Sequence, residues 1–192
     1  EKKTEKILAR NGMLWPAGQL WTDSGDITDG RKHFATLLNA GRDAVKEVFP
    51  EAQVLVHLNN AYEDNAWWFK TFRENGGKMD MIALSHYPQT GDSSWSDMNS
   101  KAIANIRSLA GACGVKVMVS ETGTKSSDFA EGARVLTDFM GRASALSECA
   151  GVFYWEPEVY GWWKPAVYAS LGWNSYEMGA FKDDGSPSDA FM

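Results

Sequence analysis

The stretch Val115–Gly123, VKVMVSETG, decides how the rest of the chain is read. Val115, Val117, Met118 and Val119 give it the apolar, β-branched character of a buried strand. A hydroxyl and a carboxylate then follow, Ser120 and Glu121. A carboxylate there is either a solvated residue opening a loop or a catalytic group. The same arrangement recurs along the chain. Gln53–Leu58 (QVLVHL), Asp80–Ser85 (DMIALS) and Gly151–Trp155 (GVFYW) read as further short strands. The four strands lead into polar, ligand-like residues: HLNN, SHYP, SET and WEPE.

Amphipathic helices separate these strands. His33–Phe49 places Phe34, Leu37, Leu38, Val45, Val48 and Phe49 on one face and stops at Pro50. Ala66–Asn75 is closed by Gly76-Gly77, and Asp97–Ala112 carries Met98, Ile103, Ile106 and Leu109 before Gly114. Asp128 is the expected N-cap of the helix that follows it. Alternating strands and helices imply βαβ units, hence an α/β fold with parallel strands covered by helices. Right-handed crossovers leave an open doubly wound sheet or a (β/α)8 barrel of the TIM type. The Gly-rich phosphate turn of the first is missing, whereas polar groups at successive strand ends suit the second. Four strands make half of such a barrel, and before residue 53 only EKILA could add another. With no repeat or interdomain linker, residues 1–192 read as one structural unit.

The totals exclude several classes of function. The 192 residues carry a net charge of -6 with acidic and basic residues interspersed, which argues against nucleic acid as a partner. No apolar run approaches the roughly 20 residues of a membrane span, and EKKTEKILAR lacks the apolar core of a signal peptide. Cys113 and Cys149 read as free thiols, and neither a CxxC pair nor a His/Cys ligand spacing calls for a metal or cofactor. The nine tryptophans stand out. Most fall in turn-like contexts rather than at helix or strand periodicity, and flat aromatic faces in loops suit sugar rings.

Taken in order, the strand ends present His57 and Asn59, then His86 and Tyr87, then Glu121, then Trp155 and Glu156. A lone histidine is commonly a satisfied core residue; sharing strand-end positions with a carboxylate keeps a functional reading open for both. A Glu among Tyr, His and Trp suits glycoside hydrolysis, which needs one carboxyl group to protonate the leaving oxygen and another to attack or to activate water. Glu156, with Pro157 directly after it, fits a structural or positioning role equally well.

Together NGMLWPAGQLW, VLVHLNN, LSHYPQ, VMVSETG and GVFYWEPE resemble glycoside hydrolase family 53, the arabinogalactan endo-β-1,4-galactanases. The resemblance runs from about Asn11 to the C-terminus and corresponds to strands five to eight of a retaining barrel. It implies that Glu121 is the nucleophile at the end of strand seven. Tyr87, in SHYP where the family usually has Tyr-Tyr-Pro, would sit beside it, and Trp155 would line the subsite of cleavage. Asn11, Trp15 and Pro16 match the loop after strand four, and His57, Asn59, His86 and Glu156 complete the expected substrate-binding set. The family's strand four ends in Gly-Asn-Glu, whose Glu is the acid/base. Those slots fall here on Lys6, Ile7 and Leu8, so no carboxylate occupies the acid/base slot and residues 1–10 depart from the family. The calcium-binding loop found after strand seven in some relatives has no counterpart.

The expectation is therefore an endo-β-1,4-galactanase-type hydrolase acting on galactan or galacto-oligosaccharides, secreted or cell-envelope bound, with impaired catalysis. The alternatives are a non-catalytic carbohydrate-binding half-barrel and a self-associating one, a homodimer covering exposed strand edges.

Overall fold

A computed structural model of the chain describes residues 30–90, 93–160, 166–171 and 177–190. Helix α1 (Gly30–Val48) precedes strand β1 (Leu55–Leu58), and α2 (Ala66–Glu74) leads to β2 (Met81–His86). Helix α3 (Trp95–Cys113) leads to β3 (Val117–Thr122), and α4 (Phe129–Ser144) to β4 (Cys149–Tyr154); a short α5 (Ala166–Ser170) follows. The strands form one parallel sheet in the order β1-β2-β3-β4. The four strands and the helices expected from His33 onward are present, with ends moved by a few residues because ladder hydrogen bonds, not apolar character, bound a strand; EKILA lies outside the described residues.

Local chemistry sets the helix ends. The Ser94 hydroxyl accepts the Asp97 N–H at 3.1 Å to start α3, and the Asp128 carboxylate accepts the Glu131 N–H at 2.9 Å to start α4. Gly114 ends α3 in the left-handed region, at φ 63°. Before β2, Asp80 accepts from Arg42 at 2.7 Å, from the Val54 N–H at 2.9 Å and from Lys46 at 3.0 Å. Desolvation opposes the charge, but these donors outweigh it and hold the carboxyl down to about 2. One side chain thus ties α1 and the start of β1 to β2.

The core lies between one face of the sheet and the helices. Val56, Leu58, Ile82, Leu84, Val117 and Val119 supply the sheet side; Phe69, Phe72, Ile106, Leu109 and Phe139 supply the helix side. Each such side chain contributes about 1.5–3 kcal/mol through burial. Trp68 belongs here as well, edge-on to Phe34 and stacked on Phe72 at 5.6 Å. Trp68 is thus a core residue on α2, in the helix expected over Ala66–Asn75, while its neighbour Trp67 is exposed. The single apolar face expected of α1 is also only partly used. Phe34 and Ala35 are buried, but Leu37, Val45, Val48 and Phe49 are exposed among the described residues, because α2 packs along one side of α1 only.

The pairing of β2 with β3 places the site. Leu84 is opposite Val119, and the next pair is Ser85 with Glu121, so Ser120 is an extra residue in β3. Strict alternation would put Glu121 on the helix-facing side with Val117 and Val119. The bulge reverses the parity and puts Glu121 alongside Ser85 on the other face.

Candidate active site

At the C-terminal ends of β1, β2 and β3, four side chains form one hydrogen-bonded cluster. Ser85 Oγ donates to Glu121 Oε2 at 3.0 Å, and Tyr87 Oη donates to the same oxygen at 3.1 Å. His57 Nε2 lies 2.8 Å from Ser85 Oγ, and His57 Nδ1 lies 3.8 Å from Glu121 Oε1. The proton positions follow from the donor inventory. A carboxylate only accepts, so Ser85 spends its hydroxyl proton on Glu121 and must accept from His57, which therefore carries its proton on Nε2. Burial lowers the His57 pKa, and the Glu121 charge only partly opposes it, so the imidazole is neutral near pH 7. Tyr87 is raised, by burial first and then by the charge and hydrogen bond of Glu121, with Tyr154 and Glu156 adding to the effect. It therefore stays a donor through the ordinary pH range. The Glu121 side chain keeps 24 % of its surface exposed, so the carboxylate is held yet accessible.

The backbone makes room for this cluster. A Cβ on Gly123 would lie 3.2 Å from Tyr87 Cε1, so glycine lets the phenol ring lie against the loop that leaves β3. After β4, the Trp155 N–H donates to the Thr122 carbonyl at 2.9 Å, which brings the WEPE segment beside the end of β3. The Trp155 side chain is 42 % exposed there. Glu156 adopts φ 42°, uncommon for a residue with a side chain, and its charge acts on Tyr87.

Of the residues singled out from sequence, Glu121, Tyr87 and His57 meet in the cluster, and Trp155 and Glu156 border it. His86 does not. It is fully buried on the helix-facing side, with Nε2 2.8 Å from Asn99 Oδ1 and its ring 4.3 Å from that of Phe139. Alternation explains this: Ser85 and Tyr87 share one face of β2, and His86 has the other. Asn99 donates its amide protons to the Val135 carbonyl and to Asp138, so its oxygen must accept from His86 Nε2–H. His86 Nδ1 is then a buried acceptor without a partner. Burial lowers this imidazole to about 4. The expected role of His86 in substrate binding is thus replaced by a core role. Asn59 is exposed and its side chain caps the Asn60 N–H at 2.8 Å, away from the cluster's hydrogen bonds. Leu8, Asn11 and Trp15 lie outside the described residues. Ser85 was not singled out from sequence. Its one signal was its position two residues before Tyr87 on the same strand face.

Comparison with known proteins gives the family and the fold. The family model of glycosyl hydrolase family 53 matches residues 9–134. An arabinogalactan endo-beta-1,4-galactanase of Cellvibrio japonicus (strain Ueda107) is 38% identical over 95 residues, 46% of this chain and 23% of the relative. One from Humicola insolens is 25% identical over 171 residues, 76% of this chain and 48% of the relative. Among solved structures, the GH53 catalytic domain of Ignisphaera aggregans matches with a TM-score of 0.70 at 20% identity, covering 95% of this chain and 54% of that one. The chain spans about half or less of the length of these relatives. Its fold is of the (β/α)8 type, and the described residues hold four parallel strands with their helices, half of such a barrel.

Proposed function

This chain belongs to glycosyl hydrolase family 53, and on that premise we propose that Glu121 is the nucleophile of a retaining site for β-1,4-galactan or its oligosaccharides. The observation that carries this reading is the double anchoring of Glu121 Oε2 by Ser85 and Tyr87 on a part-exposed carboxylate at a strand's C-terminal end. The substrate class follows from the relatives named as galactanases.

In the proposed reaction a Glu121 oxygen attacks the anomeric carbon while the bond to the departing glycosidic oxygen breaks, leaving a glycosyl ester. The departing oxygen needs a proton. Leu8 stands in the acid/base slot, and general acid catalysis typically contributes about 10²–10⁴-fold. Cleavage of unactivated galactan by this chain is therefore expected to be slow, while a substrate with a good leaving group is still attacked. Trp155, half-exposed beside the end of β3, offers its ring to a sugar face. A galactan substrate goes with a secreted or cell-envelope location.

The same leucine favours a second reading, a carbohydrate-binding unit without turnover. Reducing-end release from β-1,4-galactan, with Glu121→Gln as control, separates the two. Release by the unaltered chain and not by the variant supports the enzyme. Equal release by both removes Glu121 from the chemistry, and tryptophan fluorescence change on galacto-oligosaccharide titration without any release supports binding alone. A homodimer covering the edges of β1 and β4 belongs to the same proposal, and light scattering that gives a monomer mass would refute it.

A further inference from the structure

We propose that Ser85 and His57 are positioning residues that select which oxygen of Glu121 attacks: Oε2 is the anchored atom, and Oε1 forms the glycosyl bond. The inference rests on Glu121 being the nucleophile and adds to it an atom-level assignment. Both hydrogen bonds to the carboxylate, from Ser85 at 3.0 Å and Tyr87 at 3.1 Å, end on Oε2. Its lone pairs are engaged and its place is fixed by two rigid strand-end groups. Oε1 accepts no hydrogen bond from the described residues; the group facing it is His57 Nδ1, at 3.8 Å. With the His57 proton on Nε2 and directed to Ser85, Nδ1 presents a lone pair to Oε1 and leaves that oxygen's own lone pairs to the substrate.

The arrangement is sensitive to one proton. A second proton on His57 would sit on Nδ1, convert the facing lone pair into a cationic donor and engage Oε1 as an ion pair. The groups acting on His57 are Glu121 from β3 and Ser85 from β2. Tyr87 binds the same carboxylate, and Glu156 after β4 acts on that phenol. Burial keeps the imidazole neutral below its ordinary range, with the Glu121 charge opposing. His57 thus holds Ser85 in its donating orientation and leaves Oε1 free only while it is itself neutral.

The test uses an activated fluorosugar, a 2-deoxy-2-fluoro-β-galactobiosyl fluoride, with the full chain. Glu121 Oε1 would form the bond to the anomeric carbon as the carbon–fluorine bond breaks and fluoride leaves with the electron pair, so no acid is required. Intact mass against time gives the labelling rate at saturation and the probe's half-saturation concentration. Ser85→Ala is expected to slow saturated labelling by about tenfold, the effect of losing one hydrogen bond to a charged group, with half-saturation unchanged. Ser85→Thr keeps the hydroxyl and restores the rate. His57→Gln keeps an N–H for Ser85 and does not titrate, so the fall in labelling expected of the unaltered chain on acidification below the ordinary histidine range should disappear. Ser85→Ala labelling at the full rate, or an unchanged acid limb in His57→Gln, overturns the proposal. If Ser85→Ala does not fold, the other two variants decide. No adduct on the unaltered chain would instead overturn the nucleophile reading, and this proposal with it.

Discussion

Ser85 and His86 are neighbours on β2, yet one faces an accessible carboxylate and the other is sealed beneath α3 and α4. The two faces of the sheet follow different rules. On the helix side, Ile82, Leu84, Val117 and Val119 pack against Phe69, Phe72, Ile106 and Phe139, and the one polar side chain of β2 on that side, His86, is held by a single hydrogen bond. On the other side, at the strand ends, His57, Ser85, Tyr87 and Glu121 are joined to one another by hydrogen bonds. Removal of apolar contact should cost stability on the first face, and removal of a donor should cost chemistry on the second.

The largest expected effect is on the helix side. Phe139→Ala leaves a cavity against the His86 ring and should lower unfolding free energy by about 3–5 kcal/mol. Urea or guanidinium titration measures this, and a loss below about 1 kcal/mol would break the contrast between the faces.

Acid comes next, through His86. Its folded pKa of about 4 lies below the ordinary value of 6.5. Above pH 6.5 both folded and unfolded chains hold a neutral imidazole, and the contribution to stability is fully present. As pH falls towards 4, only the unfolded chain takes up the proton, and stability declines by an amount on the order of 3 kcal/mol. Unfolding midpoints measured from pH 7 to 4 should show the decline, and His86→Gln should flatten it. An equal decline in the variant would mean that another group is responsible.

Asp80→Asn should cost about 1–2 kcal/mol at pH 7, because the charge-assisted bonds from Arg42 and Lys46 weaken while the amide oxygen still accepts one donor. The sign is that of a carboxylate depressed on folding. Its contribution is present above the unfolded carboxylate range and is lost as pH falls through about 2. The difference between the two proteins should therefore shrink in strong acid.

The smallest stability effect belongs to the site face. Gly123→Ala must move the Tyr87 ring by a few tenths of an ångström and should alter stability by less than about 1 kcal/mol while slowing any reaction at Glu121. A large stability loss with unaltered chemistry would reverse the contrast.

Much of this fold was legible because its strands and helices carry unlike periodicities. QVLVHL, DMIALS, VKVMVS and GVFYW could be separated from the amphipathic segments between them, and that order alone gives parallel strands under helices. Direction was less legible. Counted in steps of two from Val117 and Val119, Glu121 belongs under the helices; the extra residue at Ser120 that turns it outward leaves no compositional trace. His57 and His86 looked alike at their strand ends, and only the register separates them. Ser85 passed unnoticed because a serine in a strand is ordinary until a carboxylate is known to lie opposite. The face of α1 that carries Val45 and Val48 was read correctly as apolar but not as exposed, since a sequence pattern shows which face seeks cover and not what covers it.

Peptide mapping after labelling with the activated fluorosugar tests the central claim most directly. The account predicts a single glycosyl adduct on the peptide that contains Glu121 and none in Glu121→Gln. An adduct on another carboxylate such as Glu156, or equal labelling of the variant, would contradict it.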